Sequence, residues 1–195
     1  MTQPEVNGSG SPRSRGEESR EAILTAAWQL FARRGYRGTS LASIAEAAGL
    51  SQPGLLHHFP SKTDLLLAVL ASRDAEDGRR SSQMHGDIID GLRTLVAHNE
   101  SQPEPVRLYS MLLGEAVSAD HPAHDHFVTR YKSIRDRFVR HLTTAQEQGT
   151  VPAGIDLTAL ANVLIAVLDG LQFQWLLDDS VDMKASYALL ADLLS

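Results

Sequence analysis

Apolar residues recur at spacings of three and four in almost every segment of this 195-residue chain. Between Glu17 and Arg34, for example, the apolar residues are Ile23, Ala26, Ala27, Leu30 and Phe31. This spacing places them on one face of an α-helix, whereas a strand would show alternation with a period of two. We find no convincing alternation of that kind. The sequence therefore predicts an all-α fold of about nine helices.

The amino-acid composition limits the classes of protein to which this chain can belong. The chain is 43% hydrophobic and 22% charged, which is enough apolar material for the cores of one or two small domains. It contains no cysteine, which excludes disulfides, thiolate nucleophiles and cysteine-based metal sites. Residues 1–20 contain no apolar signal region, and the apolar stretch 157–171 is interrupted by Asn162 and Asp169. We expect a cytoplasmic protein that is not inserted in a membrane.

The charge is unevenly distributed. Residues 1–72 hold seven basic and six acidic side chains, a net charge of +1, whereas the rest of the chain holds 11 basic and 18 acidic side chains, a net charge of -7. Such asymmetry is a weak indication of a separate segment that faces nucleic acid. The first 16 residues are rich in glycine, serine and proline, and we expect them to form a disordered arm.

Residues 41–59, LASIAEAAGLSQPGLLHHF, predict two short helices joined at Gly49. Thr39 or Ser40 can cap the first helix, and Ser51 can cap the second. Helices this short cross steeply, so small or apolar residues are needed where they touch. Residues that meet this condition are Ile44, Ala45, Ala48, Leu50 and Leu55. The pattern is typical of a helix-turn-helix, although an ordinary alanine-rich helical hairpin would also show it.

The second of these helices begins with Gln52, Pro53 and Gly54, and the last two are poor residues for a helix interior. A recognition helix places its first turn against base edges, which favours residues that approach DNA closely. Gln52 can bond an adenine, and Pro53 can pack against a thymine methyl group. The alternative is ordinary helix-start chemistry and a solvated glutamine.

The longer stretch FARRGYRGTSLASIAEAAGLSQPGLLHHFPSKTDLL resembles the DNA-binding domain of the TetR family of bacterial transcriptional regulators. The resemblance extends over residues 17–70 and implies that the remaining residues, 71–195, bind an effector and dimerise. It implies phosphate contacts by Thr39, with Ser40 beside it, and by Lys62. The full set of DNA-binding positions is Thr39, Ser40, Ser51, Gln52, Pro53, Gly54, Leu56, His57 and Lys62. The family usually has tyrosine where this chain has Leu56.

The resemblance also implies that the last two helices pair with those of a second subunit. The apolar face predicted for that contact comprises Leu157, Leu160, Ala161, Leu164, Ile165, Leu168, Leu171 and Trp175, with Leu160, Leu164, Leu168, Leu171 and Trp175 as its main residues. A homodimer would space two recognition helices for a palindromic operator. The alternative is an internal core helix, because a buried helix is also apolar.

The family places its effector pocket within residues 84–148. The residues expected to line it are Tyr109, Met111, Leu112, Glu115, Phe127, Tyr131, Ile134 and Phe138. This set is mostly apolar with a few polar groups, as ligand pockets are. Aromatic residues at helical spacing are more often plain core, and the identity of the effector cannot be read from the sequence.

A histidine cluster suggests a different class of protein. DHPAHDHF at 120–127 offers His121, His124 and His126, which could serve a metal-dependent hydrolase. His124 and His126 are two positions apart, so on a helix they point to different faces. We expect that the protein is not an enzyme and that it has no metal ligands, catalytic residues or cofactor. The sequence predicts a homodimeric repressor that a small molecule releases from double-stranded DNA, or a DNA-binding regulator that needs no ligand.

Overall fold

The computed structural model describes residues 12–83 and 88–194. Nine α-helices form this part of the chain. They are α1 (Pro12–Arg34), α2 (Leu41–Ala47), α3 (Gln52–His58), α4 (Lys62–Gln83), α5 (Ile88–Ser101), α6 (Pro103–Ala116), α7 (His124–Glu147), α8 (Leu157–Leu177) and α9 (Met183–Leu194). The described residues include no strand. The all-α prediction is therefore confirmed.

The start of α1 differs from the prediction. α1 begins at Pro12 rather than Glu17, so residues 12–16 are helical and not disordered. Proline is favoured at the first position of a helix because its missing N–H has no intrahelical acceptor there. Residues 1–11 of the predicted arm lie outside the described residues. α4 ends at Gln83, and residues 84–87 also lie outside the described residues.

The chain divides into two compact units, Met1–Val69 and Leu70–Ser195. In the first unit, α1, α2, α3 and the start of α4 each contribute fully buried residues to one core. These residues include Ile23, Ala27, Phe31, Ile44, Leu55, Leu65 and Leu66. Because every short helix donates at least one such side chain, α2 and α3 are fixed by packing despite having only seven residues each.

The second unit is built around a core shared by α5, α7, α8 and α9. Its most buried members are Val96, Leu142, Ala161, Leu164 and Met183. Length and composition alone would allow α8 to cross a membrane, with a mean hydropathy of 1.5, but core helices pass the same test. Here α8 packs against α7, α6 and α9 of its own unit.

Two residues of the α8 face predicted for dimerisation are buried in the core of their own chain. Leu164 and Leu168 are only 1% and 6% exposed, and Leu160, Leu171 and Trp175 pack against the same core. Leu164 and Leu168 are thus taken up by the core of their own chain, whereas Leu160, Leu171 and Trp175 stay partly exposed, and their part in a dimer contact remains a prediction. The exposed residues of α8 include Val163, Ala166, Phe173 and Leu177, with Gly170 partly exposed between them.

Candidate nucleic-acid interface and effector region

The turn between α2 and α3 is closed by backbone hydrogen bonds. Gly49 has a φ of +69°, a conformation that glycine adopts without strain. Its N–H donates to the carbonyl of Glu46 at 3.1 Å, and the N–H of Leu50 donates to that of Ala45 at 2.9 Å. This is the Schellman arrangement, which satisfies the last carbonyls of α2. The direction in which α3 leaves the turn is therefore fixed by the backbone.

Helix α3 is capped as the sequence predicts. Ser51 is its N-cap, and the Ser51 hydroxyl accepts a hydrogen bond from the N–H of Gly54 at 3.2 Å. A Cβ at position 54 would lie 3.2 Å from that same hydroxyl. Gly54 therefore leaves room for the cap, a role that is independent of any approach to DNA.

The two faces of α3 differ sharply in burial. Leu55 is 0% exposed and Phe59, which follows the helix, is 4% exposed. The opposite face is open to solvent. Its exposed residues are Ser51, Gln52, Pro53, Leu56 and His57. The apolar side thus anchors α3 to the core, while the positions predicted to read bases remain available.

Thr39 does not lie where a phosphate contact would require. Its side chain is buried, at 2% exposure, and its hydroxyl donates to the carbonyl of Gly35 at 2.9 Å, with that of Leu30 at 3.2 Å. A phosphate oxygen needs a donor, and the only hydroxyl proton of Thr39 is already used. The Thr39 side chain closes the end of α1 instead of facing outward.

Ser40, next to Thr39, is exposed and is the N-cap of α2. Its hydroxyl accepts from the N–H of Ser43 at 3.1 Å, and the Ser43 hydroxyl lies 3.3 Å from the N–H of Ser40. This reciprocal pair is a capping box. Of the two predicted phosphate contacts at this position, only Ser40 presents a hydroxyl at the surface.

Lys62 is the first residue of α4, and its ammonium lies 4.3 Å from the centre of the Tyr36 ring. The Tyr36 hydroxyl is 3.1 Å from that of Thr63. A cation over an aromatic face is attracted by the negative charge density of the ring. Tyr36 therefore restrains Lys62, a role that sequence reasoning missed because the two residues are 26 positions apart.

A polar cluster joins α4, α6 and α7 in the second unit. Arg130 pairs with Asp74 and lies 3.1 Å from Asp77, and its guanidinium stacks 4.5 Å from the centre of the Tyr109 ring. The Tyr109 hydroxyl lies 2.8 Å from Asp74. His126 approaches the other oxygen of Asp74 at 3.2 Å. We call these five residues the Arg130 cluster.

The surroundings of Asp74 favour its charged form. Burial raises the pKa of Asp74, but His126, the charge of Arg130 and the hydrogen bond from Tyr109 together hold that pKa below its usual value. Burial raises the pKa of the Tyr109 hydroxyl far above its usual range. Tyr109 thus stays a neutral donor to a carboxylate.

A second carboxylate, Asp169, lies on α8. The Tyr131 hydroxyl donates to its Oδ2 at 2.6 Å. Burial raises the pKa of Asp169 above its usual value, although the hydrogen bond from Tyr131 and the charge of Arg130 act in the opposite direction. The sequence analysis noted Asp169 only as an interruption of an apolar stretch, because its partner is 38 residues away.

The residues predicted to line an effector pocket do not share one environment. Leu112, Phe127 and Phe138 are buried, while Met111 and Glu115 are partly exposed. Tyr109 belongs to the Arg130 cluster and its ring meets that of Phe127 at 5.9 Å. Tyr131 bonds Asp169, and Ile134 packs with Phe138 against the core of the second unit. Their role in ligand contact remains a prediction.

The three histidines of residues 120–127 point to three different partners. The Nε2 atom of His121 lies 3.4 Å from Glu115, that of His126 approaches Asp74, and the Nδ1 atom of His124 lies 2.9 Å from the carbonyl of Ala116. No group of three histidine or acidic side chains that could hold a metal is present among residues 12–83 and 88–194. The three histidines are therefore not brought together around one point.

A surface hollow of about 470 Å³ lies at the C-terminal end of α8. Its lining residues are Pro103, Arg107, Trp175, Leu176, Leu177, Asp178 and Asp179. None of the residues predicted for the effector pocket is among them. The hollow is wide and largely polar, unlike the enclosed apolar pockets that most small ligands occupy.

Residues of both units match known protein families. Residues 23–69 match the family described as bacterial regulatory proteins, tetR family, and residues 89–195 match the family described as BetI-type transcriptional repressor, C-terminal. The HTH-type transcriptional regulator RutR of Escherichia coli is 44% identical over 70 residues, covering 36% of this chain. The match spans 33% of RutR, about a third of its length.

Longer matches extend over both units. The HTH-type transcriptional regulator TtgR of Pseudomonas putida is 28% identical over 182 residues, covering 88% of this chain and 87% of TtgR. A solved structure of a transcriptional regulator from Saccharomonospora viridis, in complex with choline, is similar with a TM-score of 0.76 and 27% identity, covering 90% of this chain and 94% of that one. With its helix-turn-helix and its C-terminal match, the chain belongs to the TetR family of transcriptional regulators.

Proposed function

We propose that this protein is a cytoplasmic, homodimeric repressor that holds a palindromic DNA operator with α3 and leaves it when a small molecule binds the second unit. The observation that carries the proposal is the division of α3 into a buried face and an exposed face. Leu55 and Phe59 hold the helix in place, and Gln52, Pro53 and His57 are exposed. Such a helix suits insertion into a major groove.

The exposed residues have the chemistry for reading bases. Gln52 can donate to and accept from an adenine edge, and Pro53 can contact a thymine methyl group. Leu56 is 37% exposed and offers a second apolar contact where relatives would use a hydroxyl. We therefore assign base recognition to the first two turns of α3.

Ser40 and Lys62 are proposed to bind the DNA backbone. Ser40 presents an exposed hydroxyl, and Lys62 opens a 22-residue helix whose N-terminus also favours anions. Contacts of this kind position a protein on DNA without reading sequence. Thr39 is left out of this set because its side chain is only 2% exposed, so its hydroxyl cannot reach a phosphate.

The proposed dimer contact is the outward stripe of α8, defined as Val163, Ala166, Gly170, Phe173 and Leu177. These residues are spaced by three, four, three and four, which is the seam of a helix pair. Val163, Phe173 and Leu177 are 55%, 41% and 87% exposed. Leu189 of α9 is also exposed, at 61%. A partner that covered this apolar surface would be stabilised by its burial.

The effector part of the proposal is supported by the family and by one similar structure. The regulator from Saccharomonospora viridis is described as a complex with choline, so a protein of this fold can hold a small molecule. The protein has one conformation that can hold the operator and one that cannot. A ligand releases DNA only if its affinity for the second conformation is higher than its affinity for the first. Coupling of this kind typically changes operator affinity by about 5- to 150-fold.

The operator is the first thing to test. Genomic fragments that the protein retains would define the operator, and fluorescence anisotropy would then measure variants against it. We expect Gln52→Ala to weaken operator binding by about 1–3 kcal/mol and to relax preference at one base pair in each half-site. Lys62→Ala should weaken all DNA sequences alike and reduce the salt dependence.

The matched control is Gln29→Ala, which removes an exposed glutamine from α1 of the same unit. It should leave affinity and sequence preference unchanged. Retention of the full preference by Gln52→Ala, or an equal loss with Gln29→Ala, would contradict the assignment of base reading to α3.

The dimer contact is tested by Phe173→Glu, which places a charge in the stripe. We expect sedimentation to show a dimer for the unaltered protein and a shift to monomer for this variant. Val128→Glu changes an apolar residue of α7 that is 56% exposed and should leave the dimer intact. A Phe173→Glu variant that remains dimeric at the same concentrations would move the contact elsewhere.

A further inference from the structure

Arg20 of α1 lies beside the end of the proposed recognition helix. Its guanidinium carbon is 5.3 Å from the centre of the Phe59 ring, and Phe59 is the C-cap residue of α3. Phe59 is itself held in the core of the first unit, at 4% exposure. A guanidinium within about 6 Å of a ring centre is attracted by the negative face of that ring. Phe59 therefore fixes a positive charge of α1 next to the turn that follows α3.

The charge of Arg20 is open to solvent. The residue is exposed, and two glutamates lie close to it along α1, Glu17 one turn earlier and Glu21 directly after it. Neither glutamate forms an ion pair with it in the part of the chain that the structure describes. A guanidinium that stacks on a ring uses its flat face, and its N–H donors lie in its plane. These donors therefore remain available to an anion from the solvent side.

Lys62 is held in the same way as Arg20. Its ammonium lies 4.3 Å from the centre of the Tyr36 ring, and that ring meets the fully buried Phe31 at 5.9 Å. Phe59 and Lys62 are only three positions apart. The turn between α3 and α4 is thus associated with two cations, each resting on an aromatic ring. A side chain that is positioned before binding loses less conformational freedom when it binds.

We propose that Arg20, like Lys62, binds the phosphodiester backbone of DNA. This inference rests on the proposed function, because it extends the surface that α3 presents to DNA. A guanidinium can donate two parallel hydrogen bonds to phosphate oxygens. Such a contact positions the protein on DNA without reading sequence. A side chain that only covered the Phe59 ring would need its flat shape but not its charge, so the two roles can be separated.

The salt dependence of DNA binding tests the charge of Arg20. Each phosphate contact adds about 0.9 to the slope of log affinity against log salt concentration, because it releases counterions. Arg20→Gln should reduce this slope by about 1.8 on the retained operator, since a dimer would make the contact twice. It should also weaken the operator and a random-sequence duplex by the same factor, at least about fivefold at 0.1 M salt. Fluorescence anisotropy over a series of salt concentrations measures both effects.

Two further variants separate charge from packing. Arg20→Lys keeps the charge but loses the planar stack on Phe59, so it should retain most of the slope. Arg140→Gln removes the same charge from an exposed position on α7 and should leave the slope unchanged. Thermal melts establish that each variant is folded, and Arg20→Met, with an unbranched side chain to cover the ring, replaces Arg20→Gln if that variant unfolds.

Three results would overturn the inference. The first is a folded Arg20→Gln or Arg20→Met variant whose slope is unchanged. The second is an Arg140→Gln variant that loses as much slope, which would mean that overall charge and not a local contact is responsible. The third is an Arg20→Lys variant that loses as much slope as Arg20→Gln, which would mean that the charge is not the property that matters.

The random-sequence duplex separates this inference from the proposed function, because its binding requires no operator. If an operator is retained and Gln52→Ala relaxes its preference while Arg20→Gln leaves the slope unchanged, the function stands and the Arg20 contact is wrong. If no operator is retained but Arg20→Gln lowers the slope on random-sequence DNA by about 0.9 or more, the contact stands and the sequence-specific repressor does not. Failure to bind any duplex at low salt would overturn both.

Discussion

Asp74 and Asp169 are two carboxylates of the second unit, and their surroundings shift their pKa values in opposite directions. Arg130, His126 and Tyr109 surround Asp74, and its pKa is lowered. In the part of the chain that the structure describes, Asp169 receives one hydrogen bond, from Tyr131, and its pKa is raised. Burial raises the pKa of both residues, so the difference comes from the number of donors and cations around each. The comparison separates a charge that stabilises the fold from one that the fold does not balance.

The two shifts predict opposite dependence of stability on pH. The pKa of Asp74 is lower in the folded than in the unfolded protein, so Asp74 contributes stability above its unfolded pKa and loses it as pH falls through the folded pKa. The pKa of Asp169 is higher in the folded protein, so the folded state holds its proton more tightly. The contribution of Asp169 therefore falls as pH rises from its unfolded pKa through its folded pKa.

The largest effect should come from Arg130→Met. This change leaves Asp74 and Asp77 without their shared cation, and losing one partner of a buried pair leaves an unbalanced charge. Because the three side chains are between 21% and 32% exposed, we expect a loss of roughly 2–4 kcal/mol in the free energy of unfolding at pH 7. Urea denaturation measures it. The control is Arg140→Met, which changes an exposed arginine on the same helix and should alter stability little. Equal losses of stability from the two variants would mean that the Arg130 cluster does not stabilise the fold.

A smaller loss is expected for Asp74→Asn. The amide keeps the shape of the carboxylate but loses charge-assisted bonds, at a cost of about 1–2 kcal/mol at pH 7. The difference from the unaltered protein should shrink as pH falls through the folded pKa of Asp74, because that carboxylate then becomes neutral as well. Denaturant midpoints across a pH series measure this. A difference that stays constant with pH would mean that Asp74 does not act through its charge.

The smallest effect, and the opposite sign, is expected for Asp169→Asn. Among the described residues, Asp169 forms no ion pair, so removing its charge should leave the free energy of unfolding at pH 7 unchanged or raise it by up to about 1 kcal/mol. Any gain should disappear at low pH, where Asp169 in the unaltered protein is protonated. The same pH series measures it. A clear loss of stability at pH 7 would mean that the ionised Asp169 is balanced within the fold, and the two carboxylates would no longer differ.

The sequence predicted local structure well, because caps and turns depend on adjacent residues. Ser51 and Gly49 have the roles expected of them, and Ser40 rather than Thr39 caps α2. These features follow from hydrogen bonds that span three to five positions. The helix-turn-helix was recognisable for the same reason.

The sequence could not predict features that depend on which helices meet. The pairs Tyr131 with Asp169 and Arg130 with Asp74 link residues 38 and 56 positions apart. Periodicity could not separate the core residues Leu164 and Leu168 from the outward residues of α8, because apolar residues lie on several sides of that helix. Thr39 was expected to contact a phosphate, but its hydroxyl donates a hydrogen bond to the carbonyl of Gly35 at the end of α1.

The stripe on α8 has a consequence for dosage. If a second copy covers Val163, Phe173 and Leu177, the species that holds the operator forms from two chains, and its amount at low concentration varies with the square of the amount of chain. Halving the supply of protein would then leave about a quarter of the dimer. Repression would fall off more steeply than synthesis does, so a cell that dilutes this protein by growth would release the operator abruptly even in the absence of any ligand.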